Sequence, residues 1–133
     1  MAKILIVDDS AFQRNNVRFI LKSGGHVVAE ASNGREALEV AAARAPDCIL
    51  LDIMMPELDG WEVLEVMRER DLRIPVIMLI ADVQNSTRQK CLDLGAAAVL
   101  HKPADKDQLL ELIGTILSSN PHASRPSGAS DGP

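Results

Sequence analysis

The segment "KILIVDDS" (3–10) sets an apolar run directly against two adjacent carboxylates. Three of the four residues in Ile4–Val7 are β-branched, which favours an extended, well-packed strand. An almost unbroken apolar run suits a strand covered on both faces, as in a parallel sheet. Asp8 and Asp9 then lie just past the strand's C-terminal end, in the crevice beyond the sheet edge.

The same pattern recurs at "DCILLD" (47–52) and "PVIMLI" (75–80), and more weakly at "HVVAEA" (26–31) and "AAAVLH" (96–101). The charge in the second run and the small side chains of the fifth predict edge positions for those two. Between the runs lie segments with helix-start spacings: Asn33 with Glu36, Asp59 with Glu62, Ser86 with Gln89, and Asp105 with Gln108. Gly24-Gly25 and Gly95 mark helix ends, where glycine takes a left-handed conformation at low cost. The last helical pattern carries the stripe Leu109, Leu112, Ile113, Ile116. The fourth has only the weak stripe Val83, Thr87, Cys91, Leu94.

Strict alternation of strand and helix predicts an α/β fold with a doubly wound five-stranded parallel sheet. All strand C-termini then share one edge, where ligands bind in such folds.

Composition narrows the function. The net charge of −5 argues against a basic nucleic-acid-binding face. No apolar run is long enough to span a membrane, and no signal-peptide pattern is present. Cys48 and Cys91 lack metal-ligand spacing and read as reduced core thiols, which predicts a cytoplasmic protein. From Ser118 onward, "SSNPHASRPSGASDGP" holds three prolines, five serines and no large apolar side chain. The expected division is therefore a domain over 1–118 and a disordered tail or linker remnant over 119–133.

The strand ends bring together Asp8 and Asp9, Asp52, Ile80-Ala81, and His101-Lys102. Three aspartates and one lysine sum to −2, which a divalent cation would neutralise. Oxygen donors that leave room for water and phosphate suit Mg²⁺. A carboxylate, a divalent metal and a lysine are the parts needed to accept a phosphoryl group. Asp52, on the central strand between the acidic pair and Lys102, is the nucleophile candidate. Taken singly, the acidic pair could be a helix cap, "LLD" a strand end and "KP" a turn; their convergence on one rim favours a site.

"ILIVDDS", "DCILLDIMMPELDG", "PVIMLIA" and "GAAAVLHKP" together resemble a response-regulator receiver domain, the CheY-like family, over residues 3–118. The resemblance implies the strand order 2-1-3-4-5. It implies Asp52 as phosphoacceptor and Mg²⁺ held by Asp9, Asp52 and the Met54 backbone carbonyl, with Asp8 acting through water. Lys102 and the Ala81 backbone would bind the phosphoryl oxygens, and Lys102-Pro103 would be a cis peptide. Pro56 and Gly60 would shape the loop after the third strand. A histidine kinase or phosphotransfer protein would be the donor. A protein target would meet the face of the fourth helix, fifth strand and fifth helix. No effector domain is expected within this length, and the protein is expected to be a monomer that binds neither nucleic acid nor membrane.

Two positions depart from the family pattern. Ile80 stands where the family usually has Thr or Ser, and Val99 where it usually has Tyr or Phe. With Phe12, Phe19 and Trp61 as the only aromatics and no tyrosine, nothing replaces the ring. Ile80 cannot donate a hydrogen bond, and such a bond to a charged group contributes about 1.5–3 kcal/mol. Coupling between phosphate and conformation is expected to fall roughly ten- to a hundredfold, with the chemistry less affected. Gln84, Ser86 or Thr87 could supply a substitute donor, although Ser86 with Gln89 reads as a cap.

The competing reading is a phospho-independent pseudo-receiver that acts as a protein-binding module. A haloacid-dehalogenase-type phosphatase is disfavoured, since that class wants its nucleophile first in a DxD pair after the first strand. A flavodoxin is disfavoured because "VDDS" would repel a flavin phosphate. Trp61 is expected to be a half-buried aromatic over its helix start, and His101 a solvated strand-end residue.

Overall fold

The computed structural model describes residues 2–81 and 84–119. Strand and helix alternate without exception: β1 (Lys3–Val7), α1 (Ala11–Ser23), β2 (Val27–Ala31), α2 (Gly34–Arg44), β3 (Cys48–Asp52), α3 (Gly60–Glu69), β4 (Val76–Ile80), α4 (Asn85–Asp93), β5 (Ala98–His101), α5 (Lys106–Ser119). The sheet runs β2-β1-β3-β4-β5 with every pair parallel, in the order the resemblance implied. Every residue of β3 and β4 is buried, whereas the edge strands β2 and β5 are partly exposed.

Side chains alternate across the sheet with a period of two. Leu5, Val7, Ile49, Leu51, Met78, Ile80 and Val99 form one apolar layer with α2, α3 and Cys91 of α4. Ile4, Ile6, Leu50, Ile77, Leu79 and Leu100 form the other, with α1 and α5. Burying one such side chain fully contributes about 1.5–3 kcal/mol, so the central strands dominate the stability of the fold.

Three of the four expected helix starts hold. Asn33 accepts the Glu36 backbone N–H at 2.8 Å. Asp59 and Glu62 form both halves of a capping box. Asp105 accepts the Gln108 N–H at 2.9 Å. The Ser86–Gln89 cap does not form. The helix starts earlier, with Gln84 at the cap position and no side-chain hydrogen bond capping the first turn, so Ser86 lies inside α4. Gln89 points forward instead and donates to the Asp93 carboxylate at 2.8 Å, a charge-assisted bond one turn on.

Gly25 and Gly95 take the expected positive φ, at 85° and 106°. In the fourth-helix stripe Cys91 is fully buried and Thr87 and Leu94 partly so; Val83 lies outside the described residues. Helix α5 runs to Ser119, so the first residue of the expected 119–133 tail belongs to the helix, and residues 120–133 lie outside the described residues. No helix is long and apolar enough to cross a membrane among the described residues.

Candidate functional site

Among the described residues only two charged side chains are buried, Asp8 and Asp52, at 5% and 8% exposure. Both lie at the C-terminal rim of the sheet. Burying like charges is costly unless a partner offsets them. The partner is Lys102, whose Nζ donates to Asp52 Oδ1 at 2.9 Å and to Asp8 Oδ2 at 3.1 Å.

Each member is placed by backbone pairing. Asp8 extends β1 by one residue, its N–H bonding the Ala31 carbonyl at 3.2 Å. Its Oδ1 accepts the Ser10 N–H, and Ser10 in turn caps α1 by accepting from Gln13 N. Asp52 ends β3. Lys102 follows β5 with its N–H on the Ile80 carbonyl at 2.7 Å, and Lys102-Pro103 is cis, as the resemblance implied. Gly60 lets the loop after β3 close tightly. A Cβ there would collide with the Asp52 carbonyl, and Gly60 N–H bonds the Ile53 carbonyl at 2.8 Å. In the same loop the Leu58 N–H returns to the Pro56 carbonyl around Glu57, whose φ is +67°.

The electrostatics follow from this packing. Burial pushes the Asp52 carboxyl up and Asp8 adds to it; the Lys102 hydrogen bond and charge oppose it, but the net shift is upward. Burial alone would lower Lys102, but its bonds and charge contacts with Asp52 and then Asp8 outweigh burial and raise it. The ammonium therefore stays charged.

Asp8, Asp9, Asp52, Met54, Ile80, Ala81 and Lys102 all line one cleft of about 530 Å³. The structure thus gathers the expected rim residues in one place, with Asp9 exposed and Asp8 and Asp52 buried. Val99 is buried beneath the rim and does not line the cleft, and His101 is exposed as expected.

Residues 4–114 match the sequence profile of the response regulator receiver domain. The chain belongs to that family. This receiver is 40% identical over 117 residues to the chemotaxis protein CheY of Bacillus subtilis, a match covering 87% of this chain and 98% of the relative. It is 39% identical over 115 residues to the response regulator MprA of Mycolicibacterium vanbaalenii, covering 86% of this chain but 50% of that one. The chain therefore spans nearly all of one kind of relative and about half of another. The solved chemotaxis protein CheY4 of Vibrio cholerae superposes with a TM-score of 0.81 at 34% identity, covering 88% of this chain and 99% of that one. The receiver domain of the Francisella response regulator 1452 superposes at 0.83 with 28% identity, covering 87% and 96%.

Receiver domains typically bind Mg²⁺ at an acidic pocket, and the donor set here fits that ion. Asp8, Asp9 and Asp52 each offer a carboxylate oxygen, and those atoms lie within 4.8 Å of one another. Hard oxygen donors without thiolate or imidazole suit Mg²⁺ over softer metals. Neither cysteine lines the cleft: both are buried and unpaired by disulfide, and burial pushes the Cys48 thiol up to about 12.

Sequence reasoning missed two neighbours of the site. Arg14 donates to the Asp8 carbonyl at 2.6 Å and to Glu30 at 3.0 Å, tying α1 to β2 beside the acidic pair. Its signal was an arginine one turn beyond the Ser10 cap. Trp61 is half-buried as expected, but its ring also lines the cleft. Its Nε1–H donates to Cys91 Sγ at 3.4 Å, and Lys90 Nζ stands 3.8 Å from the ring centroid. Of the three substitute donors the sequence offered, Thr87 lines the cleft, and Gln84 and Ser86 do not.

Proposed function

We propose that this receiver accepts a phosphoryl group on Asp52 from the phosphohistidine of a histidine kinase or phosphotransfer protein. An Asp52 oxygen bonds to phosphorus as the donor's P–N bond breaks, and the departing imidazole keeps the electron pair. Attack by water on phosphorus later breaks the O–P bond, restoring the carboxylate and releasing inorganic phosphate. The supporting observation is the pairing of buried Asp52 with Lys102 at 2.9 Å, which orients the carboxylate and leaves a cation where phosphoryl charge develops.

Asp9, Asp52 and the Met54 carbonyl would hold Mg²⁺, with Asp8 acting through water. When bound, the ion would neutralise negative charge on the transferring oxygens. Lys102 and the Ala81 backbone, both lining the cleft, would contact those oxygens. Ser10 and Arg14 keep Asp8 in place through its Oδ1 and its carbonyl.

Likeness to chemotaxis and two-component regulators supports a cytoplasmic, monomeric protein that signals by protein contact. The output surface would be the α4–β5–α5 face, where Arg88, Val99 and Glu111 line a groove of about 410 Å³. Ile80 and Val99 are 1% and 6% exposed and carry only hydrocarbon, which supports weakened switching through the strand positions.

Acetyl phosphate with Mg²⁺, followed by intact-mass analysis and peptide mapping, tests this reading. One phosphoryl group on Asp52, absent in Asp52→Asn, is expected. No adduct would overturn it in favour of a phospho-independent binding module.

A further inference from the structure

Asp8 and Asp9 leave β1 side by side, yet they are held differently. The Asp8 carboxylate is buried, accepts from Lys102 and accepts the Ser10 N–H. Asp9 is exposed, so its direction is set by the backbone that carries it and not by packing. That backbone begins with the Asp8–Asp9 peptide, a planar unit whose carbonyl direction fixes how Asp9 departs from the strand end.

The carbonyl of this peptide accepts from Arg14 Nη1 at 2.6 Å. The same guanidinium donates through Nε to Glu30 Oε1 at 3.0 Å. Glu30 sits on β2 in register with Ile6 of β1, and its second oxygen is taken by Arg18, one turn further along α1. Arg14 is therefore gripped from behind by a carboxylate that is itself held at both oxygens. A planar guanidinium suits such a bridge, because its donors keep a fixed spacing. Glu30 also offsets the guanidinium charge, which would otherwise oppose a cation at the neighbouring carboxylates.

We propose that Arg14 is a positioning residue for the metal site: through the Asp8 carbonyl it sets the Asp8–Asp9 peptide and so aims the Asp9 carboxylate at the ion. Glu30 anchors this tether. The edge strand β2, which lends no side chain to the cleft, thereby contributes to metal binding. This inference rests on the proposed Mg²⁺-dependent phosphorylation of Asp52.

Titration of the nitrogen-15-labelled full chain with Mg²⁺ alone, followed through its amide resonances, gives the affinity of the ion without any phosphoryl donor. Arg14→Met keeps the hydrocarbon stem and loses every donor. Arg14→Gln stays polar but is too short to span both partners. Each is expected to bind Mg²⁺ roughly ten- to a hundredfold more weakly than wild type, the usual loss when a group that orients a metal ligand is removed. Charge alone predicts the opposite sign, since deleting a cation beside a cation site should tighten binding. Arg18→Met also removes a cation from Glu30 but leaves the Asp8 carbonyl bond intact, so its Mg²⁺ affinity should stay close to wild type. With acetyl phosphate as donor, the Mg²⁺ concentration for half-maximal labelling of Asp52 should rise in parallel in the two Arg14 variants. Wild-type or tighter Mg²⁺ binding in a folded Arg14→Met or Arg14→Gln protein would overturn the proposal, as would an equal loss in Arg18→Met. A wild type whose amide resonances around the cleft do not respond to Mg²⁺ would instead bring down the underlying reading of Asp9 and Asp52.

Discussion

Lys102 Nζ sits 2.9 Å from Asp52 and 3.1 Å from Asp8, so one ammonium serves two buried carboxylates separated by 44 residues of chain. One positive charge cannot neutralise two negative ones. The unbalanced charge falls on Asp52, whose carboxyl burial and Asp8 both push upward. The native fold therefore bears a cost at its functional rim.

That cost has a pH signature in metal-free protein. The folded-state value of Asp52 is raised above its ordinary 3.8, so the folded protein holds its proton more tightly than the unfolded chain. The contribution is fully present below 3.8 and is lost as pH rises through the folded value. Thermal melts in EDTA should show Asp52→Asn more stable than wild type at neutral pH, with the gap closing in acid. Equal melting temperatures across the range would contradict the assignment.

Mg²⁺ should reverse the cost. A ligand that binds only the folded state at a hundred times its Kd stabilises by about 2.7 kcal/mol. Melts against Mg²⁺ concentration should rise for wild type and stay nearly flat for Asp9→Asn, because that change removes one of the three carboxylates grouped within 4.8 Å.

Glu30 titrates the other way. Burial pushes its carboxyl up, but hydrogen bonds and charge from Arg18 and Arg14 outweigh burial and hold it below the ordinary 4.5. Its contribution is present above 4.5 and disappears as pH falls through the folded value. Glu30→Gln should cost about 1 kcal/mol at neutral pH in denaturant titrations, and the difference should vanish in strong acid.

Gly60→Ala should damage fold and site together. The added methyl would meet the Asp52 carbonyl and the Ile53 backbone, which cannot give way as a flexible side chain would. A loss of about 1–3 kcal/mol is expected, with slower phosphorylation by acetyl phosphate.

Ile80→Thr should trade packing for a donor. Ile80 is fully buried, so removing its hydrocarbon and burying a hydroxyl should cost about 1–3 kcal/mol. Target affinity measured with and without beryllofluoride should show a larger ratio than wild type by roughly tenfold or more.

Much of this was legible in the chain itself. The near-continuous apolar runs at 4–7, 48–51 and 76–80 could be satisfied only between two helical layers, and the charges that stop them mark the rim. The rim chemistry was readable because Asp8, Asp9, Asp52 and Lys102 each stand at or just past a strand's C-terminal end. The α4 side was not. Its apolar stripe is weak, and the Ser86–Gln89 spacing suggested a cap that the Gln89–Asp93 bond displaces. The Trp61–Cys91 contact joins residues far apart in sequence, and no local pattern announces it.

The sheet is one residue thick, and consecutive positions of each strand serve opposite layers. Leu79 and Ile80 are chain neighbours, yet the first packs toward α1 and α5 and the second toward α2, α3 and α4. The strands thus act as a partition between two apolar compartments that meet only at the rim. Substitutions on opposite sides should combine additively in stability, while those sharing a side interfere.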